Sequence, residues 1–136
     1  MADDYDNVTE ECFTSTKSFW NFPCAHRQYR HDGNCHLIHG YSRSFHFVFG
    51  CKSFTKEGFV VDYGDLKDVK AHLDHMYDHT LVLDEEDPYM DKFKELEKLG
   101  VCHIRTHPMG PGMEGTAHYL CDWTDKWLRE KCRGRA

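Results

Sequence analysis

Side chains that could bind a metal ion or move a proton are concentrated between residues 22 and 42. His26, Cys35, His39 and Tyr41 all fall within this stretch. Imidazole and thiolate groups are the usual protein ligands of zinc, and imidazole also exchanges protons near neutral pH. Because the stretch lies between two segments that alternate like strands, it indicates a functional site more than a core.

A second pair with acid–base character is Asp78 and His79. A carboxylate beside an imidazole can orient the ring as a proton relay, or the two can form a charged pair at a helix end on the surface. Cys35 has a simpler alternative as a buried thiol, which is the commoner fate of cysteine. For His26 and His39 the alternative is a place in the core.

A different use of the same stretch is a structural zinc module. Cys24, His26, Cys35 and His39 have the side-chain types of a closed zinc site. A module of this kind would unfold when the metal is chelated, whereas a catalytic zinc ion could be removed with the fold intact.

Two strands and three helices must position these groups. Alternation and β-branched or aromatic content predict strands over residues 13–25 and 39–51. In the second strand, alternation places His39 and Tyr41 on one face, followed by phenylalanines that are most simply core. Apolar residues at helical spacing and helix-end residues predict helices over residues 62–77, 88–100 and 114–132, and residues 101–105 are predicted to be extended.

The composition indicates an ordinary globular protein. Residues 13–136 are predicted to form one domain after a flexible, acidic segment 1–12. A net charge of −6 with dispersed basic residues argues against nucleic-acid or membrane-surface binding. No apolar run is long enough for a membrane span, and no secretion signal begins the chain. The seven cysteines are therefore expected to be reduced thiols in a cytoplasmic protein.

Five motifs in order, over residues 13–130, resemble the 6-pyruvoyltetrahydropterin synthase and 6-carboxytetrahydropterin synthase family. Each motif alone has low specificity, but five with the same order and spacing are specific. They are Phe22-Pro-Cys-Ala-His26, Cys35-His-Leu-Ile-His39-Gly-Tyr-Ser42, Gly58-Phe-Val-Val-Asp62-Tyr-Gly-Asp-Leu-Lys67, Asp78-His79 with Leu81, and Pro111-Gly-Met-Glu114-Gly-Thr-Ala117.

The resemblance implies an α+β tunnelling fold, in which an antiparallel sheet carries its helices on one face. It also implies trimers, or dimers of trimers, with active sites between subunits. The implied activity is that of a Zn²⁺-dependent lyase acting on 7,8-dihydroneopterin triphosphate. The Cys-x-Leu-x-His-Gly motif favours the branch that releases acetaldehyde and forms 6-carboxytetrahydropterin for 7-deazaguanine (queuosine) synthesis; the pyruvoyl branch, which eliminates triphosphate, is the alternative.

The resemblance also implies roles for single residues. His26 and His39 would ligate zinc, Cys35 would be the catalytic base, and Asp78 with His79 would relay protons. Glu114 would contact the pterin, although a capping role at the start of the last helix explains it equally well. Arg27 and Arg30 follow His26 closely and are candidates for triphosphate contacts or for solvated surface.

The sequence departs from the family pattern in three respects. Tyr41 stands where the family has its third zinc histidine, so the third ligand is Tyr41 or a neighbour such as His36, or the site binds metal weakly. Gly112 and Met113 replace the threonine and small polar residue that help to hold the pterin. The family's last two strands, one bearing a pterin-binding glutamate, do not follow the final helix. The sheet is therefore expected to lack that strand pair, with the chain truncated or Glu114 anchoring the substrate, and the alternative function is a non-catalytic pterin-binding or interaction homologue.

Overall fold

The computed structural model describes residues 13–131. The predicted flexible segment 1–12 lies outside the described residues, and the boundaries of the single predicted domain remain a prediction. The four strands are β1 (Phe13–His26), β2 (His39–Cys51), β3 (Leu81–Asp84) and β4 (Ile104–His107). The three α-helices are α1 (Lys67–Tyr77), α2 (Met90–Lys98) and α3 (Met113–Lys131), and single 3-10 turns cover Asn34–His36 and Tyr63–Leu66.

The long antiparallel hairpin of β1 and β2 contains a bulge that decides which side chains of β1 face the core. The register runs from Phe19 opposite Phe45 to Phe22 opposite Arg43, so β1 carries one extra residue. Asn21, with φ of 69°, adopts the left-handed conformation that asparagine tolerates better than most residues. The extra residue places Phe19 and Phe22 on one face, which strict alternation would separate.

Strands β3 and β4 extend the sheet beyond the hairpin, in the order β2-β1-β3-β4. Both pair in parallel, β3 with the end of β1 and β4 with β3. The predicted α+β class is confirmed, but the expectation of an antiparallel sheet holds only for β1 and β2. The strand Leu81–Asp84 is not predictable from alternation, because this short apolar run is buried on both faces.

The helices cover both faces of the sheet. Leu73 of α1 and Leu120 of α3 belong to the main core with Val82 of β3. Leu83 packs instead with Phe93 of α2 in a second core. Since successive residues of a strand point to opposite faces, α2 lies on the other side of the sheet from α1 and α3. The expectation that all helices lie on one face is therefore wrong for α2.

The N-terminus of α3 is held tightly against the loop before it. A Cβ atom added at Gly115 would clash with the carbonyl oxygen of Gly110, which leaves no space for any other side chain. Because of this contact, the first turn of α3 has a fixed position beside the end of β4.

Among the helices of residues 13–131, none is long and apolar enough to cross a membrane.

Candidate functional site

The centre of the candidate site is a histidine pair that bridges β1 and β2. His26 is directly opposite His39 in the register of the hairpin, and their ring centroids are 4.2 Å apart. The ring of Tyr41 lies 5.9 Å from that of His26 and 5.4 Å from that of His39. Strand register therefore brings together the three side chains predicted to bind metal.

Each of the two imidazoles has a ring nitrogen without a hydrogen-bond partner among the described residues. Nδ1 of His39 donates a hydrogen bond to the carbonyl oxygen of Leu37 at 2.7 Å, which leaves Nε2 with its lone pair. His26 is 2% exposed, and its Nδ1 has no hydrogen-bond partner among the described residues. Burial, with the positive charge of Arg43 and the proximity of His39 adding to the effect, lowers the pKa of His26 to about 4.

The donor set fits zinc only if the phenol of Tyr41 serves as the third ligand. Within residues 13–131, no group of three His, Cys, Asp or Glu side chains could hold a metal ion. His36 does not join the pair, since its Nδ1 donates to the carbonyl oxygen of Gly33 at 2.6 Å. Tyr41 is 57% exposed, so its oxygen is open to solvent beside the two imidazoles.

The four-ligand structural zinc module is not assembled in the described part of the chain. Cys24 is buried in the main core, where burial raises the pKa of its thiol above the usual value. A protonated thiol surrounded by apolar side chains is a poor zinc ligand. Cys24 is therefore a buried thiol, whereas Cys35, for which that alternative was raised, is half-buried.

Cys35 lies in the loop between the two strands rather than on a strand. It occupies the 3-10 turn Asn34–His36 and is half-buried. Its carbonyl oxygen accepts a hydrogen bond from the amide of Gln28 at 2.8 Å. No hydrogen bond joins its thiol to His26 or His39 in the described structure, so its role as the base remains a prediction.

Asp78 and His79 form the predicted pair at the junction of α1 and β3. Nδ1 of His79 donates to Oδ1 of Asp78 at 2.6 Å, an arrangement that fixes the ring and leaves Nε2 free for proton exchange. The backbone of His79 is left-handed, with φ of 58°, and its amide donates to the carbonyl oxygen of Pro23 at 2.7 Å. With 82% of its side chain exposed, His79 is accessible to a ligand.

An open cleft of about 530 Å³ is lined by His79 of this pair and by Tyr41 of the histidine cluster, whereas His26 and His39 are not among its lining residues. Most of the remaining walls are apolar. Ile38, Phe93, Leu96 and Val101 are among the apolar lining residues. The cleft therefore brings two of the predicted site residues to one surface that a flat, largely apolar ligand could occupy.

Glu114 lies apart from the cleft, in the first turn of α3. Its side chain is exposed and has no hydrogen bond or ion pair with any residue between 13 and 131. The positive end of the helix dipole favours a carboxylate here, and the pterin-binding role remains a prediction.

A Cβ atom at the nearby Gly112 would lie 2.8 Å from Nε2 of Gln28. Glycine at position 112 thus allows the loop carrying Cys35 to pack against the start of α3.

A buried arginine beside the histidine cluster, Arg43, is absent from the predicted site residues. Arg43 is 3% exposed; its guanidinium donates to Oγ1 of Thr116 at 2.9 Å and to the carbonyl oxygen of Pro111 at 2.8 Å. These bonds hold the start of α3 against β2. A sequence signal was present, because position 43 shares the inward face predicted for Tyr41 and the phenylalanines of β2.

The two arginines proposed for the triphosphate are both paired with carboxylates. Arg27 forms two hydrogen bonds with Asp87, at 2.7 and 3.2 Å, and Arg30 contacts Glu86 at 2.8 Å. The first pair is largely buried and the second is exposed. No local sequence pattern predicts that Arg27 pairs with Asp87, because the two residues are far apart along the chain.

Comparison with known proteins agrees with the predicted family. The family model for 6-pyruvoyl tetrahydropterin synthase matches residues 15–135. A 6-carboxy-5,6,7,8-tetrahydropterin synthase from Rickettsia felis is 33% identical over 70 residues, which cover 51% of this chain and 51% of the relative. The synthase of the same name from Aquifex aeolicus is 27% identical over 97 residues, covering 71% and 60%. In the first of these matches, the chain spans about half the length of the curated relative.

A solved structure supports the fold. The crystal structure of an uncharacterized protein from Wolinella succinogenes superposes with a TM-score of 0.72 and 18% sequence identity. The superposition covers 88% of this chain and 86% of that chain.

Proposed function

This chain belongs to the 6-pyruvoyl tetrahydropterin synthase family, and we propose that it is a zinc-dependent lyase acting on 7,8-dihydroneopterin triphosphate. The proposed products are 6-carboxy-5,6,7,8-tetrahydropterin, acetaldehyde and triphosphate, a step of 7-deazaguanine (queuosine) synthesis. The observation that carries the proposal is the cross-strand pair of His26 and His39, whose ring centroids are 4.2 Å apart, beside a tyrosine that lines an open cleft. The names of the curated relatives favour the carboxy product.

Zinc would be held by His26, His39 and, more weakly, Tyr41. The hydrogen bond from His39 to Leu37 supports this assignment, because it presents the ring's other nitrogen as a ligand. When bound, the ion would polarise oxygen atoms of the substrate side chain and stabilise negative charge on them. Phenol is a weaker ligand than imidazole near neutral pH, since its ordinary pKa is about 10.

Proton transfer would be divided between the loop and the junction of α1 and β3. The thiolate of Cys35 would remove a carbon-bound proton from the substrate side chain. His79, oriented by Asp78, would exchange protons with the side-chain hydroxyl groups. Triphosphate then leaves with the electrons of its C–O bond, and with addition of water the last two side-chain carbons leave as acetaldehyde. Glu114 would anchor the pterin by accepting from its N–H groups.

A second candidate is a homologue that binds a pterin or a partner protein without turnover. Tyr41 in place of a third histidine favours this candidate, because catalytic zinc sites use three strong protein ligands. The pyruvoyl branch remains a third outcome, in which triphosphate is eliminated and all side-chain carbons stay on the pterin.

The proposed setting of the enzyme follows from the family. We expect a cytoplasmic homo-oligomer, a trimer or a dimer of trimers, with no nucleic-acid or membrane partner. The exposure of Leu99 and Val101 near the cleft supports association at this surface, since apolar side chains there would be buried by a second subunit. Light scattering of the purified protein measures the oligomeric state.

The test is incubation of metal-free and zinc-loaded protein with dihydroneopterin triphosphate, with acetaldehyde, triphosphate and the pterin product quantified separately. Zinc-dependent acetaldehyde supports the carboxy reaction, and triphosphate without acetaldehyde supports the pyruvoyl reaction. Retained pterin with neither product supports the binding homologue. His39→Ala should abolish turnover, whereas His103→Ala, an exposed histidine outside the cluster, should leave it unchanged.

A further inference from the structure

We propose that the buried pair of Arg27 and Asp87 is a latch that positions the loop bearing Cys35 for catalysis. The inference rests on the proposed function, in which Cys35 is the base. It assigns Arg27 and Asp87 as positioning residues, which act through the backbone of the loop and do not touch the substrate.

The latch has the geometry of a strong ion pair. Nε and Nη2 of Arg27 donate to the two carboxylate oxygens of Asp87, at 2.7 and 3.2 Å. The side chain of Arg27 is 12% exposed and that of Asp87 is fully buried. Two parallel bonds between planar groups fix orientation as well as distance. Because a buried charge without its partner is costly, the two side chains act as a unit.

Arg27 and the residue after it contact the backbone of the turn that carries Cys35. The third nitrogen of the guanidinium, Nη1 of Arg27, donates to the carbonyl oxygen of His36 at 3.3 Å. The next residue along the chain, Gln28, donates its amide to the carbonyl oxygen of Cys35 at 2.8 Å. Two consecutive residues at the end of β1 thus hold two consecutive carbonyl groups of the 3-10 turn.

Asp87, the other residue of the latch, is held by hydrogen bonds next to β3 and α2. Oδ1 of Asp87 also accepts from the amide of Tyr89 at 2.9 Å, just before α2 begins. The amide of Asp87 donates to the carbonyl oxygen of Asp84, the last residue of β3, at 3.1 Å. The Tyr89 ring lies 5.2 Å from the guanidinium carbon of Arg27 and covers it. The Cys35 loop is therefore tied to the sheet and to α2 through one carboxylate.

The neighbouring pair of Arg30 and Glu86 provides the contrast. It joins the same loop to the same turn at 2.8 Å, but its side chains are 67% and 75% exposed. Exposed ion pairs of this kind contribute little because water screens them and both side chains lose entropy. The positioning role therefore falls to Asp87 and not to Glu86.

The test compares Asp87→Asn with the matched control Glu86→Gln in the full chain. For Asp87→Asn, we expect amide hydrogen exchange of residues 33–37 to rise by roughly tenfold, with the exchange of α1 and β2 unchanged. In turnover with zinc and dihydroneopterin triphosphate, kcat should fall by about tenfold or more while KM stays within about twofold. Glu86→Gln should change none of these values.

Arg27→Lys keeps the charge and serves as the second variant if Asp87→Asn does not fold. Lysine cannot form the bidentate pair and also reach His36, so the same local rise in exchange is expected. Unchanged exchange at residues 33–37 in a folded variant overturns the latch. A lower KM for Asp87→Asn also overturns it, because that result identifies the released Arg27 as a triphosphate contact. The exchange measurement needs no turnover, so it tests the latch even if the proposed lyase activity is absent.

Discussion

The histidine cluster and the Cys35 loop carry different predicted groups of the candidate site and are positioned by different physical means. His26, His39 and Tyr41 are fixed by the hydrogen-bonded register of β1 and β2. Cys35 depends on a few contacts made by Arg27, Gln28 and the 3-10 turn. A ladder of backbone bonds continues through both strands, whereas each loop contact can be removed by one substitution.

This difference indicates how the two halves of the site should respond to mutation. Substitutions at the cluster should change which ligand is bound, because the backbone around it is held independently of those side chains. Substitutions around Cys35 should change geometry and rate without changing the identity of the ligand. The following predictions test this separation, from the largest expected effect to the smallest.

Removing the thiol should have the largest effect. Cys35→Ala should reduce turnover by a factor of about a hundred or more, because no other group would remove the carbon-bound proton. Thermal unfolding should change little, since the side chain is only half-buried. Cys51→Ala is the matched control: Cys51 is also half-buried but lies at the other end of β2. Full turnover by Cys35→Ala would eliminate the proposed base.

Changing the third ligand should alter metal binding by about one to two orders of magnitude. Tyr41→His supplies a third imidazole in the position that the family uses, so zinc affinity should rise by roughly ten- to a hundredfold. Competition with a chromogenic chelator measures the change. Tyr63→His, an exposed tyrosine outside the cluster, is the control. Equal zinc affinities for Tyr41→His and the parent protein would remove Tyr41 from the metal site.

Acid should destabilise the fold through His107, which is buried, and His72, which is half-buried. Burial, with Arg43 adding to the effect, lowers the pKa of His107 to about 4, and burial lowers that of His72 to about 4. The unfolded chain therefore binds more protons than the native one as the pH falls from about 6.5 to about 4. Stability present above pH 6.5 should be lost across this window, by up to roughly 1.4 kcal/mol per pH unit for each histidine.

Denaturant unfolding at several pH values measures this loss. His107→Gln should reduce the slope of stability against pH by about one proton, because the native state would no longer exclude that charge. A slope that His107→Gln leaves unchanged would contradict the assignment to His107.

The smallest effect is expected at the bulge that orients β1. Asn21→Val should destabilise the protein by roughly 1–2 kcal/mol, since a β-branched residue is strained at the positive φ of this position. Asn21→Gly tolerates the same backbone and should stay within about 0.5 kcal/mol of the parent. Urea unfolding compares the two, and equal stabilities would indicate that the bulge can move or relax.

The elements with a clear period were predictable from sequence. Alternation predicted β2 with its observed bounds, His39–Cys51. Helical spacing predicted the bounds of α2 and α3 to within a few residues. The face shared by His39 and Tyr41 also followed from alternation. The motifs indicated the family, and the match over residues 15–135 confirms it.

The missed features depend on contacts between distant parts of the chain. The bulge at Asn21 moves His26 to the core face. A single asparagine in a strand is not enough to predict a bulge from sequence. Strand β3 is buried on both sides and has no alternation to detect. The latch joins Arg27 to Asp87, which only the parallel pairing of β1 and β3 brings near each other.

X-ray absorption at the zinc edge, on protein loaded with one equivalent of zinc, tests the central claim most directly. If His26 and His39 hold the ion, the spectrum should show two imidazole nitrogens at about 2.0–2.1 Å with the remaining ligands oxygen. His39→Ala should then remove one imidazole. A sulfur ligand at about 2.3 Å would contradict the account, because it would place Cys35 or Cys24 on the metal and leave the strand register without its proposed role.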